Sequence, residues 1–335
     1  MKVVIADSNL LPHRGRFESR VASDIEVSWH EKFDVDALVA DIADATVYVG
    51  GKFPAALAEA APDLRLVHVA GAGTDGVSFD ALSARTLVAN TFHHERSIAE
   101  YVVATAVVLR RGFLGQDRLM REDRWASPVY DRTLRQSNSL GSATVGFVGF
   151  GHIGAQSWQL LRAFGCRGIA VTGSGSVNAA ENGLVWAAST DRLSDLMTEA
   201  DVVVVSAPLN ESTTGMIGDT ELAALGPDGV LINVGRGPLV QQDALFDALS
   251  AGSLGSAAID VWYDYPSADG IGAPSRHPFH TLHNVLMTPH SSGITRETFE
   301  GRVDDITANI GRLAAREPLT DVVAGENFTE KAEHS

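Results

Sequence analysis

The sequence predicts an α/β protein built of two doubly wound parallel-sheet domains, and three observations carry that prediction. Short apolar runs alternate with helix-period segments along most of the chain, the pattern of parallel sheets with helices on both faces. The 335 residues exceed one average domain and suggest two. The run Val145–Val148 leads at once into Gly149-Phe150-Gly151-His152-Ile153-Gly154, a strand followed by G-x-G-x-x-G.

Ten candidate strands follow from the apolar runs. Val3–Ala6, Thr46–Gly50, Leu66–Ala70 and Thr86–Ala89 form a first group, set apart from the rest. The second group is Val145–Val148, Ile169–Val171, Val202–Ala207, Val230–Val234, Ala257–Val261 and Val285–Thr288. Helical patterns fall between them at Val35–Ile42, Ala55–Ala60, His152–Gly165 and Asp243–Ala251. Glu95–Arg111 reads as a long helix bridging the two groups, and Arg296–Arg316 as a closing helix. Residues 112–142, with Trp125 and Pro128, read as an exposed irregular arm, and the polar tail from Gly325 as frayed.

Composition narrows the function classes. A formal charge of −16 opposes broad contact with nucleic acid or an anionic membrane, whose phosphates would repel it. With 45% apolar and 20% charged residues the chain has the balance of an ordinary soluble protein. No apolar run approaches the roughly 18 residues of a membrane span. The single cysteine, Cys166, forms no internal disulfide and no cysteine-rich metal site. Met1–Asp7 reads as a strand, not a signal peptide, so a reduced, cytoplasmic location is expected, with no metal.

The glycine turn has a chemical reading. Gly149 permits the turn off the strand, Gly151 lacks the Cβ that would block a pyrophosphate, and Gly154 lets the next helix pack closely. In an open parallel sheet ligands bind beyond the carboxyl ends of the strands, and three further groups stand there. Arg236 lies between Gly235 and Gly237, sterically free to reach into a cleft and matched to a carboxylate. His290 ends a strand before Ser291-Ser292-Gly293 and is a natural proton donor to a carbonyl. Asp260 ends another strand, as an acceptor for a carboxamide or as the cap of a turn.

These residues stand within a longer series of motifs: VAGAGTDGV (69–77), SIAE (97–100), VGFVGFGHIG (145–154) and PLNESTTGMI (208–217). INVGRGPLVQQDAL (232–245), AAIDVW (257–262) and LMTPHSSGIT (286–295) complete it. Together they resemble the D-isomer-specific 2-hydroxyacid dehydrogenases. The resemblance implies a discontinuous flavodoxin-like substrate domain (1–95 plus 291–335) flanking a Rossmann nucleotide domain (96–290), with a cleft between them. It implies hydride transfer between nicotinamide and a small 2-keto acid or D-2-hydroxy acid. Arg236 corresponds to the carboxylate-binding arginine, His290 to the acid/base, and Asp260 to the residue holding the carboxamide. Backbone N–H groups of Ala70-Gly71-Ala72 would complete the carboxylate clamp. His152, Ile153, Ser174, Pro208, Thr213 and Asn233 join the three glycines along the cofactor. The relatives' homodimers imply one here, through the Gly112–Gly141 arm.

Three positions depart from the family pattern. Where most relatives carry the glutamate that orients the histidine, this chain has Tyr265, with Asp264 adjacent. A phenol orients by hydrogen bonding without negative charge, so His290 is expected near an ordinary imidazole value of about 6.5. The position that holds the ribose hydroxyls of NAD with an acid is Thr172, in Thr172-Gly173-Ser174-Gly175-Ser176, which leaves NAD against NADP open. His94 stands where many relatives have asparagine and is a candidate substrate contact. Formate-type oxidation on the same scaffold and a dinucleotide-sensing, corepressor-like binding protein are the competing readings. Thr74-Asp75, where phosphite dehydrogenases carry a lysine, counts against phosphite.

Overall fold

The computed structural model describes residues 1–267 and 270–325; the polar tail after Gly325 lies outside them. Its strands are β1 Lys2–Ile5, β2 Glu26–Trp29, β3 Val47–Val49, β4 Leu66–His68, β5 Leu87–Ala89, β6 Thr144–Val148 and β7 Arg167–Thr172. They continue with β8 Trp186–Ser189, β9 Val202–Val205, β10 Val230–Asn233, β11 Ser256–Ile259, β12 Val285–Met287 and β13 Val322–Ala324. Two compact units result: Met1–His93 with the segment from Thr295, and His94–Ile294.

The first unit holds a six-stranded sheet in the order β13-β5-β4-β3-β1-β2. Its strands pair in parallel except β13, which lies antiparallel to β5. The parallel-sheet expectation is corrected at that edge, where the last strand comes back from the far end of the chain. The helix Arg296–Ala315 buries Phe299, Val303, Ile306, Ile310 and Leu313, a stripe spaced three or four apart, in the core with Val3, Val47 and Leu66. Its N-cap, Thr295, accepts the Thr298 N–H through Oγ1 at 3.3 Å. At the end of β4 the fully buried His68 meets Asn309 of that helix, Nε2 to Nδ2 at 3.0 Å.

The second unit holds a seven-stranded parallel sheet in the order β12-β11-β10-β9-β6-β7-β8. Chain order reverses between β6 and β9, so the switch point where such sheets bind ligands falls at the glycine turn. β9 is four buried valines in a row, the continuous apolar run that a strand covered on both faces requires. The helix Glu95–Arg110 does not bridge the sheets. Its apolar stripe, Ile98, Val102, Ala106 and Leu109, is buried with Phe147, Trp158 and Leu161 inside the second unit. The 112–142 arm is less irregular than expected, since it contains the helix Phe113–Met120, none of whose residues is buried. Trp125 (62% exposed) and Tyr130 (69%) meet edge to face on it at 5.5 Å. Among the described residues no helix is long and apolar enough to cross a membrane.

Candidate active site

At the end of β6, Gly149 has φ +91°, and a Cβ there would lie 2.6 Å from the Ala207 nitrogen. Its N–H donates to the Val171 carbonyl at 2.9 Å, and Ser206 Oγ donates to its carbonyl at 3.0 Å. A Cβ on Gly154 would lie 2.7 Å from the Gly149 carbonyl, so the helix His152–Leu161 rests directly on the turn. Gly151 differs from both: a Cβ there meets nothing within 4 Å. Packing requires the outer glycines, whereas the middle one borders open space at a helix N-terminus, where first-turn N–H groups and the dipole favour an anion. His152 and Ile153 form that first turn; Ile153 packs on the core and His152 Nδ1 lies 3.8 Å from Glu95 Oε1.

Beyond β7, Thr172 Oγ1 accepts the Gly175 N–H at 3.1 Å, and Gly175 has φ +62°. Ser174 and Ser176 pair their hydroxyls at 2.7 Å. The loop 172–176 is therefore a self-braced hydroxyl turn without a carboxylate. Beyond β9, Thr213 Oγ1 donates to the Pro208 carbonyl at 2.8 Å, and Asn210 Oδ1 accepts the N–H groups of Ser212 and Thr213.

Asn233 ends β10 and ties down the following turn, its Nδ2 donating to the Arg236 carbonyl (3.1 Å) and its Oδ1 accepting from Gly235 N–H (3.2 Å). The glycines beside Arg236 have a different reason from the expected steric freedom. A Cβ on Gly235 would lie 2.8 Å from Leu239 Cδ1, and one on Gly237 would lie 2.3 Å from the Trp262 carbonyl oxygen. They hold the turn against its neighbours and so fix where Arg236 leaves the backbone. Arg236 Nη1 donates to the Gly235 carbonyl at 2.9 Å.

His290 follows β12 in the left-handed region, φ +56°. Its Nδ1 lies 2.8 Å from the Tyr265 hydroxyl, whose oxygen accepts the Trp262 N–H at 3.4 Å. Of the two residues at the missing glutamate's place, Tyr265 meets the ring. Asp264 turns its N–H to the Pro274 carbonyl (3.0 Å), and its carboxylate has no recorded hydrogen bond to His290 among the described residues. The expectation of an ordinary imidazole is corrected. Burial lowers the His290 pKa below its usual value, Asp260 pulls it up and Arg236 pushes it down again. Burial raises the Tyr265 phenol, so it stays neutral at physiological pH.

Asp260 is fully buried, and its carboxylate accepts from Thr288 Oγ1 (2.6 Å), Ser291 N–H (2.9 Å), Ser292 N–H (3.1 Å) and Ser292 Oγ (2.5 Å). These four donors from three residues were not foreseen; the polar residues flanking His290, Thr288 before it and Ser291-Ser292 after it, were the available signal. His94 occupies the N-cap position of the helix Glu95–Arg110, and a Cβ on Gly293 would lie 3.2 Å from the His94 Cβ, so His94 stands beside the His290 loop.

In the first unit the carbonyls of Ala70, Gly71 and Ala72 are taken by Arg302 Nη1 (3.1 Å), Thr91 N–H (3.2 Å) and Asn90 Nδ2 (2.9 Å). Their N–H groups have no recorded protein acceptor among the described residues, which leaves donors of the kind that bind a carboxylate. Arg302 and Asn90, which brace this turn, were not foreseen. Cys166 is partly buried, its Sγ 3.1 Å from the Leu140 carbonyl.

Residues 103–292 match the family model described as D-isomer specific 2-hydroxyacid dehydrogenase, NAD binding domain. D-3-phosphoglycerate dehydrogenase of Mycobacterium tuberculosis is 31% identical over 305 residues, 89% of this chain and 55% of that protein. The chain thus spans about half the length of that relative. Glycerate dehydrogenase of Methylorubrum extorquens is 29% identical over 78% of this chain and 80% of its own length. An NADPH-dependent glyoxylate/hydroxypyruvate reductase from Sinorhizobium meliloti, solved with NADP and malonate, superposes with TM-score 0.77 at 26% identity and 99% coverage of both chains. By motifs, architecture and these matches, the chain belongs to the D-isomer-specific 2-hydroxyacid dehydrogenase family.

Proposed function

We propose that this chain is an NAD(P)-dependent oxidoreductase interconverting a small 2-keto acid and its D-2-hydroxy acid. The observation that carries the proposal is the His290–Tyr265 pair: an imidazole hydrogen-bonded at Nδ1, within the field of Arg236, at strand ends of the sheet that bears the glycine turn. The open space at Gly151 fits a dinucleotide pyrophosphate, with Gly149, His152, Ile153 and Gly154 forming its cradle. A nicotinamide dinucleotide, when bound, supplies the hydride in reduction and takes it in oxidation.

Arg236 binds the substrate carboxylate and polarises the carbonyl. His290 gives its Nε2 proton to the carbonyl oxygen in reduction and ends neutral; in oxidation it takes the hydroxyl proton. Tyr265 orients the ring in both states by accepting from Nδ1–H, which leaves Nε2 to give or take the moving proton. The N–H groups of Ala70, Gly71 and Ala72 are further carboxylate donors, and His94 is a substrate contact. Thr172, Ser174, Pro208, Thr213 and Asn233 line the cofactor. Because the 172–176 loop presents no carboxylate to a 2′-phosphate, NADPH is accepted as well as NADH, and the Sinorhizobium reductase is a precedent.

A homodimer formed through the Trp125–Tyr130 arm, working in the cytoplasm, completes the reading; gel filtration of a monomer would remove the dimer. Turnover of glyoxylate, pyruvate, hydroxypyruvate and bulkier keto acids, followed by NADH and NADPH absorbance, tests the activity. Tight dinucleotide binding without turnover of any of them would replace the enzyme with a nucleotide sensor.

A further inference from the structure

We propose that Asp260 is a positioning residue for His290 and has no acceptor left for the cofactor carboxamide that the family pattern assigns to it. The inference rests on the oxidoreductase reading above. An ionised carboxylate offers about four lone-pair sites, and here four protein donors fill them. Oδ1 takes Thr288 Oγ1 and the Ser291 N–H, and Oδ2 takes the Ser292 N–H and Oγ. The side chain is wholly buried, so no edge of it faces solvent or a ligand. A carboxamide N–H₂ arriving there would have to displace one of these donors.

The donors bracket His290 in sequence, Thr288 before it and Ser291 and Ser292 after it. The bracketed residue has φ +56°, a conformation that L-residues other than glycine rarely hold without support. Asp260 is itself fixed, its N–H donating to the Asn233 carbonyl at 3.1 Å. Thr288 is held from two further sides, by Trp262 Nε1 donating to its carbonyl (2.8 Å) and by the Tyr101 hydroxyl 3.0 Å from its Oγ1. Tyr265 therefore sets the ring of His290, and Asp260 sets the backbone from which the ring projects.

The test compares wild type, Asp260→Asn and Ser292→Ala with NADH and with its 3-acetylpyridine analogue, in which a methyl ketone replaces the amide. Wild-type turnover of a keto acid is the separate check on the enzyme reading; its absence would sink that reading and not this one. With turnover established, Asp260→Asn is expected to lower kcat a hundredfold or more, and Ser292→Ala several-fold. The NADH-to-analogue ratio of kcat/KM should stay within twofold of wild type in both. In the cofactor-free protein, the His290 Cε1–H resonance should move in both variants and titrate at lower pH in Asp260→Asn, since the Asp260 charge pulls the imidazole up. Either a tenfold or greater collapse of the NADH-to-analogue ratio in Asp260→Asn or an unmoved His290 resonance would overturn the proposal. Should Asp260→Asn not fold, the same two readouts on Ser292→Ala decide it.

Discussion

The buried His68 makes the stability of the first unit depend on pH in a predictable direction. Its Nδ1 lies 3.2 Å from the Val69 carbonyl and its Nε2 3.0 Å from Asn309 Nδ2, so the ring fits as the neutral tautomer with its proton on Nδ1. The Asn309 amide is not free to turn round, because its Oδ1 accepts the Thr320 N–H (2.9 Å) and hydroxyl (3.1 Å). Protonation would therefore set an Nε2–H against an N–H₂ donor in a fully buried site. Burial holds the His68 pKa down at about 4. An unfolded chain titrates near 6.5, so it binds the extra proton first, and stability is complete above about pH 6.5 and lost as pH falls toward 4. The full difference of about 2.5 units corresponds to roughly 3 kcal/mol, of which roughly 2 is lost by pH 5. Urea unfolding of wild type and His68→Gln at pH 7.5 and pH 5 measures it. The glutamine variant is less stable at both, but its loss between them should be smaller than wild type's by about 2 kcal/mol. Equal losses in the two proteins would refute the argument.

Five substitutions test the site. Tyr265→Phe should cost roughly tenfold in kcat, a fraction of the 10²–10⁴ that acid–base catalysis supplies. Tyr265→Glu should move the limb where reduction falls with rising pH upward by about one unit or more, because a carboxylate favours imidazolium. An unmoved limb in a pH profile would discard the orienting role. Gly151→Ala should leave urea stability within about 0.5 kcal/mol, since its Cβ meets no protein atom, yet weaken dinucleotide binding about tenfold or more by calorimetry. Gly149→Ala, forced into φ +91° against the Ala207 backbone, should cost about 2 kcal/mol or more. Thr172→Asp should raise the NADH-to-NADPH ratio of kcat/KM about tenfold or more by placing charge near a 2′-phosphate; no change would put the ribose elsewhere.

The central strands were legible because burial on both faces leaves an unbroken apolar run, as in Val202–Val205. Glu26–Trp29, Trp186–Ser189 and Val322–Ala324 were missed for the converse reason. Each is a sheet edge, half exposed, where polar and small residues suffice. The places of the candidate residues at strand ends were readable, but their hydrogen-bond partners were not. Nothing in one sequence says that Ser291 and Ser292 fold back onto Asp260. Nor does it say that Gly235 and Gly237 answer to the backbones of Ala207 and Trp262 pressing on them, since these contacts come from segments 25 to 32 residues apart.

The return of the chain to its first sheet has a consequence for how the protein is made. The core of the first unit needs Phe299, Val303, Ile306 and Ile310, and its edge needs Val322–Ala324, all supplied after the whole second unit has been translated. At about 5–20 residues per second, the roughly 200 intervening residues take about 10–40 s to emerge from the ribosome. At the end of that interval His94–Ile294 has its full set of strands, whereas the apolar faces of Val3, Val47, Leu66 and Leu87 still lack their covering helix. The first unit therefore completes its core and its sheet edge only after the second unit has been made.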